Sequence, residues 1–507
     1  MRFDTFLKGL LLILHVLPFN QILDLRSISL ELSVYIDEWL RCNKKSYWNF
    51  YGHAPSKLVY LCNKFNVPPN RWNVIMQYST PRLRNIREFC KISSIELIQV
   101  PITKDLLKAI KHCKHDVRIF LEGTDAKFID KLAKLPTIQT LSLINCGLQR
   151  CDFSSSYLQK LCISNNPTVT VTKWPTNITD LDISDCNIHE LHTLPTSLRT
   201  LNISGNKLVQ LKPLIGLSLI VFKMSRVWVW GCVELLSNIL KPMTNLKVLD
   251  MSYTWTGSGI LLDVVSPTIE ELNISGTGYL NLPDAVEALA RLINLKILNL
   301  SESEITWGLN LLALQKMTQL NSLSLRSLYT GGSTGNSLKI ALMHKNNLET
   351  VDFSSCGYTL TYVLDSLCYC KRLRSLNISD NNFEDISDSN ALINALSQLK
   401  LIKIFTCKNS RVDYATIEKI LDTINILVEN IDLTNSIFND IDAFGRPFGL
   451  LEKLLVKFQR LPNLKIGLVS NSLNEHKLYA HLSKVISNRY FEEVQPYAPA
   501  KHLHQVS

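Results

Sequence analysis

One spacing governs what this chain can fold into. Apolar residues occupy the first, fourth and sixth places of a short segment, and Asn, Cys, Thr or Ser stands at the ninth. The pattern reads Ile138, Leu141, Leu143, Cys146, then Leu158, Leu161, Ile163, Asn166. Ile178-Leu181-Ile183-Cys186 and Leu198-Leu201-Ile203-Asn206 follow. After a degenerate unit around 217–224 it resumes at Leu246-Leu249-Met251-Thr254 and Ile269-Leu272-Ile274-Thr277. It continues through Leu295-Leu298-Leu300-Ser303, Leu320-Leu323-Leu325, Leu348-Val351-Phe353-Cys356 and Leu373-Leu376-Ile378-Asn381. The last clear units are Leu399-Ile402-Ile404-Cys407 and Val428-Ile431-Leu433-Ser436. Such a repeat makes each unit a short strand, a turn and a return segment, and no unit buries its apolar edge without neighbours. The ninth residue points inward where the chain leaves the strand, so its side chain meets backbone groups that the turn leaves unpaired. Cysteine fits there as a small buried side chain, which accounts for Cys146, Cys186, Cys356 and Cys407 without disulfides or metal.

The spacing changes along the chain. Fourth-place residues 141, 161, 181 and 201 lie 20 apart, whereas those at 249, 272, 298, 323, 351, 376, 402 and 431 lie 23 to 29 apart. The shorter units leave room for an extended or brief 3₁₀ return, which Pro175 and Pro195 suit. The longer ones leave room for a helix, and residues 284–292 (DAVEALARL) and 390–399 (NALINALSQL) carry helical periodicity. The whole pattern resembles the leucine-rich-repeat family over roughly residues 117 to 470. That resemblance implies an α/β solenoid with a parallel sheet on its concave face, short 3₁₀ or extended returns early and helices later. The expected organisation is an apolar N-terminal segment (1–30), a helical N-terminal module outside the repeats (31–115), the repeats (116–470) and a C-terminal tail (471–507).

Hydrophobic residues make up 46% and charged residues 19%, enough apolar material for a continuous core. The net charge of +10 is spread without a dense Lys/Arg run, which reads as a solvated surface and not a nucleic-acid footprint. The sequence carries no Gly-rich phosphate loop, His-Glu-x-x-His or nucleophile elbow, so neither catalysis nor a cofactor or metal is expected. Cys368-Tyr369-Cys370 lacks a second cysteine pair and reads as ordinary core cysteine.

Binding is the expected role. Strand residues alternate in direction, and the fifth place runs Ser142, Cys162, Asp182, Asn202, Asp250, Asn273, Asn299, Ser324, Asp352, Asn377, Lys403 and Asp432. Asp182, Asn202, Asp250, Asn273, Asn299, Asp352, Asn377 and Asp432 form the candidate ladder for a protein partner, able to accept donors from a basic or extended peptide. Trp228, Trp230, Trp255 and Tyr253 cluster near the degenerate unit as candidate anchors or core.

The thirteen cysteines are odd in number and scattered, which points to a reducing compartment. Cys42, Cys62, Cys90 and Cys113 are widely spaced and no cysteine follows Cys407, so disulfide caps are not expected. Of the sequons at Asn177, Asn202, Asn273, Asn299 and Asn377, all but Asn177 arise from the strand pattern itself. Residues 10–19 resemble a signal-peptide core, yet 20–28 offer no small-residue cleavage pair, and the run is too short to span a bilayer. The expectation is a cytoplasmic or nuclear protein, or a secreted one if residues 1–20 act as a signal.

Before the repeats, Leu58, Leu61, Cys62 and Phe65 stand at i, i+3, i+4 and i+7, one apolar helix face stopped by Pro68 and Pro69. This segment resembles the elongin-binding box of cullin-RING ligase receptors. The following LRNIREFCKISSIEL and LLKAIKHC look like the entry to the repeats in Zyg/Zer-type receptors. The resemblance implies a substrate-recognition subunit of a ubiquitin ligase, with elongin and cullin or a Skp-type adaptor as partners. A secreted or cell-surface recognition protein, a scaffold unrelated to ubiquitin, and a helix that merely caps the repeats remain alternatives.

Overall fold

The computed structural model describes most residues from 94 to 433, omitting 114–115, 124–127, 155, 228–232, 255–260, 278–282, 304–310, 329–331, 344, 384, 413 and 425–427. Outside that span it describes the strands Trp48–Tyr51, Trp72–Gln77 and Leu464–Lys465. The chain divides into two compact units, residues 1–229 and 230–507.

In the first unit the strands are β1 (Trp48–Tyr51), β2 (Trp72–Gln77), β3 (Ser94–Ile98), β4 (Val117–Glu122), β5 (Ile138–Ile144), β6 (Arg150–Asp152), β7 (Lys160–Cys162), β8 (Thr170–Lys173), β9 (Asp180–Asp182), β10 (Thr200–Asn202) and β11 (Val221–Lys223). All but β6 and β8 belong to one sheet and pair in parallel, each with the next turn of the chain. The register stacks Ile119, Leu141, Leu161, Leu181, Leu201 and Phe222 in one buried fourth-place row. The degenerate unit is therefore regular: Leu219, Phe222 and Met224 fill the three apolar places and Val227 the ninth, all fully buried. The returns are extended, as 20-residue units require. β6 and β8 form a separate two-stranded parallel sheet, and Lys212–Leu214 is a single 3₁₀ turn.

The region before residue 116 departs from the expected helical module. β1, β2 and β3 extend the same parallel sheet, and α1 (Lys104–Ile110) is a return helix between β3 and β4. The repeat-like pairing starts earlier than the leucine signature because SIELIQV alternates apolar residues at a strand period but lacks an inward Asn. A short helix, α2 (Ile129–Ala133), serves the next return. Cys113, just after α1, is disulfide-bonded, to a partner outside the described residues. Cys146, Cys186 and Cys356 carry no disulfide and are buried at the ninth place as the pattern predicts, and Cys407 is likewise buried without a disulfide. Leu58, Leu61, Cys62 and Phe65 lie outside the described residues, as do residues 471–507 and the end of the repeat array.

In the second unit β12 (Val248–Asp250), β13 (Glu271–Asn273), β14 (Ile297–Asn299), β15 (Ser322–Ser324), β16 (Thr350–Asp352), β17 (Ser375–Asn377), β18 (Ile404–Thr406), β19 (Asn430–Asp432) and β20 (Leu464–Lys465) pair successively in parallel. Their returns hold α3 (Val233–Leu240), α4 (Leu261–Val264), α5 (Pro283–Ala290), α6 (Gly332–Leu342), α7 (Tyr358–Leu367), α8 (Ile386–Gln398) and α9 (Tyr414–Thr423), with a 3₁₀ segment at Leu311–Lys316. Asp385 caps α8, its carboxylate accepting from Ser387 N at 2.8 Å. Longer units thus carry helices, as the spacing predicts. Cys370 is buried with its thiol donating to Leu342 O, whereas Cys368 donates to Asp365 O in the last turn of α7.

One unit sits three residues from its expected register. Phe405, not Ile402, pairs with Leu376 and Ile431, so Ile402 takes the first place, Cys407 the sixth and Ser410 the ninth. Lys403 consequently leaves the fifth-place row and Thr406 enters it. The run LKLIKIFTCK admits both phases, and burial of the Phe405 ring selects one.

Two features close each unit. Every eighth-place residue from Gly123 to Asn409 has positive φ, through Asn145, Asn165, Asp185, Gly205, Arg226, Tyr253, Gly276, Glu302, Ser327, Ser355 and Asp380. This left-handed residue turns the chain inward and delivers the ninth residue to the core. There Asn166 donates to Leu143 O and Ile163 O, each at 2.8 Å, and accepts from Cys146 N and Leu148 N. Asn206 repeats this with Ile183 O, Ile203 O, Cys186 N and Ile188 N. The intervening Cys186 thiol donates to Ile163 O at 2.9 Å. An alternating Cys–Asn ladder therefore bolts successive turns together.

Candidate functional site

First-, fourth- and sixth-place side chains fill the core, which leaves the third and fifth places on the opposite face of the sheet. The predicted ladder lies there, every member half-buried. Most of it is tied into the strand ends. Oδ1 of Asp182, Asp250, Asn273, Asp352 and Asn377 accepts from both the N–H and the hydroxyl of the serine two residues on. Asn202 and Asn299 accept the corresponding serine N–H. Asp432 instead forms an ion pair with Lys408 at 2.8 Å. One oxygen of each residue so bonded serves the fold as an Asx-type cap; the other oxygen or the amide N–H₂ remains for contacts across the sheet.

In the first unit these places enclose an open trough of about 280 Å³. Its fifth-place row runs Phe120, Ser142, Cys162, Asp182, Asn202, Lys223, and its third-place row includes Thr140, Lys160, Asp180, Thr200 and Val221. Small side chains at Ser142 and Cys162 make the depression between the Phe120 ring and the longer groups beyond. Lys160 pairs with Asp180 at 3.4 Å, and Thr179 donates to the same carboxylate at 2.7 Å. Asp182 takes three donors, the third being Asn202 Nδ2 at 3.1 Å, and none is a cation. Lys223 is exposed, and among the described residues its ammonium has no ion-pair partner. The trough thus holds one compensated pair and two uncompensated charges of opposite sign.

The second-place row behaves differently in the second unit. Glu270 bridges Lys247 at 2.7 Å and Lys296 at 2.6 Å, Arg374 faces Glu349 at 3.7 Å, and Lys403 pairs with Glu429. The two lysines hold the Glu270 carboxyl down to about 2 by hydrogen bonding to it. Those charges satisfy one another across neighbouring strands.

The sequence reading identified Asp182 and Asn202 but missed Phe120, Lys160, Asp180 and Lys223. The available signal was the period of 20 to 22 residues linking 120, 142, 162, 182, 202 and 223. Trp228, Trp230 and Trp255 lie outside the described residues. Tyr253 is exposed, and its hydroxyl donates to Glu302 at 2.7 Å. Asn202, Asn273, Asn299 and Asn377 sit on the sheet face, whereas Asn177 is exposed in a return. No described helix is long and apolar enough to cross a membrane.

Strand order, register and the inward ninth-place ladder define a leucine-rich-repeat architecture in each unit. No protein-family model matches the chain, and no curated protein does. Among solved structures, an internalin from Listeria monocytogenes aligns at 18% identity over 61% of this chain and 80% of its own, with a TM-score of 0.39. A leucine-rich-repeat protein of Leptospira interrogans aligns at 16% identity over 70% of this chain and 93% of its own, TM-score 0.41. The TLR13–ssRNA13 complex aligns at 14% identity over 81% of this chain, which spans 55% of that chain, TM-score 0.42.

Proposed function

We propose that this chain is a protein-recognition solenoid that holds a polypeptide partner against the open face of its sheet. The observation that carries this reading is the trough of the first unit, where Phe120, Lys160, Asp182, Asn202 and Lys223 present apolar and charged groups on rigid strands. Functional side chains fixed on regular elements bind with little ordering cost. Affinity capture with the full chain tests it: Lys160→Glu combined with Lys223→Glu removes the partner recovered by the unsubstituted chain, and unchanged recovery overturns the assignment of the face.

The likeness of residues 56–65 to an elongin-binding box extends this reading to a substrate receptor of a cullin-RING ligase, cytoplasmic or nuclear. Under it, Leu58→Ala with Cys62→Ala abolishes co-purification of elongin and cullin without changing the circular dichroism of the repeats. Absence of elongin, Skp-type adaptors and cullins from complexes of the unsubstituted chain overturns it. The bonded Cys113 favours a second reading, a secreted or surface recognition protein, since disulfides persist in oxidising compartments. Mass spectrometry of protein alkylated before reduction separates the two. A blocked Cys113 together with a glycan on Asn177 supports secretion, whereas an alkylated Cys113 supports the intracellular reading.

A further inference from the structure

The two uncompensated charges of the trough narrow the ligand. Asp182 and Lys223 lie on the same row two strands apart, about 10 Å, and Phe120 lies three strands from Asp182 in the other direction, about 14 Å. A carboxylate has roughly four acceptor sites; those on Asp182 receive Ser184 N, Ser184 Oγ and Asn202 Nδ2, which leaves one unfilled. The Lys223 ammonium is exposed at the far end.

We propose, building on protein recognition at this face, that the trough reads an extended segment crossing the strands with a fixed order of side chains: apolar, then basic, then acidic. An extended chain rises about 3.3 Å per residue and returns to the same face every second residue. The apolar side chain packs on the Phe120 ring, and the residue two further along crosses Ser142 and Cys162. Four residues on from the apolar one, a Lys or Arg meets Asp182. Two residues further, an Asp or Glu approaches Lys223, whose long side chain spans the remaining ~3 Å. Lys160 and Asp180 do not enter the code because they neutralise each other. The sign order is the specific content, since a ligand with the two charges exchanged places like charges against both groups.

The test uses the full chain and synthetic twelve-residue peptides carrying Phe, Lys and Glu at i, i+4 and i+6, in either chain direction, with Ser and Ala elsewhere. Fluorescence anisotropy against a version with Lys and Glu exchanged should show at least tenfold tighter binding of the designed order in one direction. Lys223→Glu, an exposed substitution that leaves the strand caps intact, should remove that preference, and a peptide with Lys at both charged positions should regain affinity for it. Equal binding of both orders, no binding of either, or a preference that survives Lys223→Glu overturns the inference. Partner capture that is lost on Asp352→Arg in the second unit but indifferent to Lys223→Glu overturns it too, while leaving protein recognition standing.

Discussion

The two units solve one problem, joining turns of chain that cannot stand alone, by different means. In the first unit the ninth-place ladder alternates Cys146, Asn166, Cys186 and Asn206, and each Asn grips carbonyls of two units and N–H groups of the preceding one. In the second unit it begins with Thr254, Thr277 and Ser303, whose hydroxyls donate to a carbonyl, and returns to the paired form at Cys356 and Asn381. Helical returns supply apolar contact there that extended returns do not. The second-place row differs as well, carrying Gln139, Gln159, Thr179 and Arg199 in the first unit and mutually paired charges in the second. Narrow units therefore hold together by polar bonds inside and leave charge on the face. Broad units hold together by helices and consume charge along an edge.

The largest effect should separate the ladders. Asn166→Ala strands the Leu143 carbonyl and two buried N–H groups, leaves Ile163 O with only the Cys186 thiol, and should cost about 3–5 kcal/mol in denaturant unfolding followed within the first unit. Ser303→Ala removes one bond to Ile274 O and should cost about 1 kcal/mol. Equal costs would mean that the Asn ladder is no stronger a joint than the hydroxyl one.

Alkaline titration should distinguish the units next. Burial pushes the Cys151 and Cys186 thiols up to about 11, and those of Cys356, Cys370 and Cys407 up to about 12. Folded thiols thus keep protons that unfolded ones lose near pH 9, and stability falls as pH rises from about 9 towards 11–12. Lys345 acts in the opposite sense in the second unit alone. It stands where other units place Met317, Cys370 or Leu399, is 2% exposed, and donates to Met317 O at 2.6 Å. Burial lowers its ammonium to about 8 from an unfolded value near 10.5, so the unfolded chain binds more protons between those values and stability rises with pH there. Between pH 7.5 and 9.5 the unsubstituted chain should therefore gain on the order of 2 kcal/mol relative to Lys345→Met. A difference that stays flat across that window would show that the ammonium is not desolvated.

Third come the two glycines bridged at the eighth place, one in each unit. Over Gly205, Arg226 reaches Asp185 at 3.4 Å; over Gly276, Tyr253 reaches Glu302 at 2.7 Å. A Cβ at Gly205 would lie 2.0 Å from Asp185 Oδ1, and one at Gly276 would lie 2.3 Å from the Tyr253 ring. Both residues also have positive φ. Alanine at either should cost about 1–2 kcal/mol, combining left-handed strain with loss of the bridge. Tyr253→Ser combined with Gly276→Ala should recover part of that loss, since the ring is then gone.

How much of this was legible follows from where the information resides. The core rows and the ninth-place ladder could be read because each is a residue type at a fixed spacing. Register at 399–407 could not, because Ile402 and Phe405 are both acceptable fourth-place residues and only pairing with Leu376 decides. β3 escaped because its alternation carries no Asn. The fifth-place Asp and Asn residues looked like free acceptors, yet the serine two places on, as in Asp182-Ile183-Ser184, marked them as strand caps. Lys223 was overlooked because its unit has Phe222 and Val227 where the pattern expects Leu and Asn.

The smallest effect concerns the edge charges. Glu270→Gln leaves Lys247 and Lys296 near each other without their shared carboxylate. The pair is solvent-accessible, so its contribution is small and screened by salt. Its sign with pH is nevertheless fixed. The carboxyl is held near 2 when folded and titrates near 4.5 when unfolded, so its contribution is complete above the unfolded value and disappears as pH falls from about 4.5 to about 2. Thermal melts of Glu270→Gln and the unsubstituted chain should differ slightly at pH 7 in dilute buffer, and converge both near pH 2 and in about 1 M salt, where the screening length is only ~3 Å. In the first unit Thr179→Lys, which sets a lysine beside Arg199 in that row, should show no such convergence because no carboxylate in the row awaits it. A gap for Glu270→Gln that persists in high salt would mean that the edge row packs instead of pairing, and the contrast between the units would then rest on the ninth-place ladder alone.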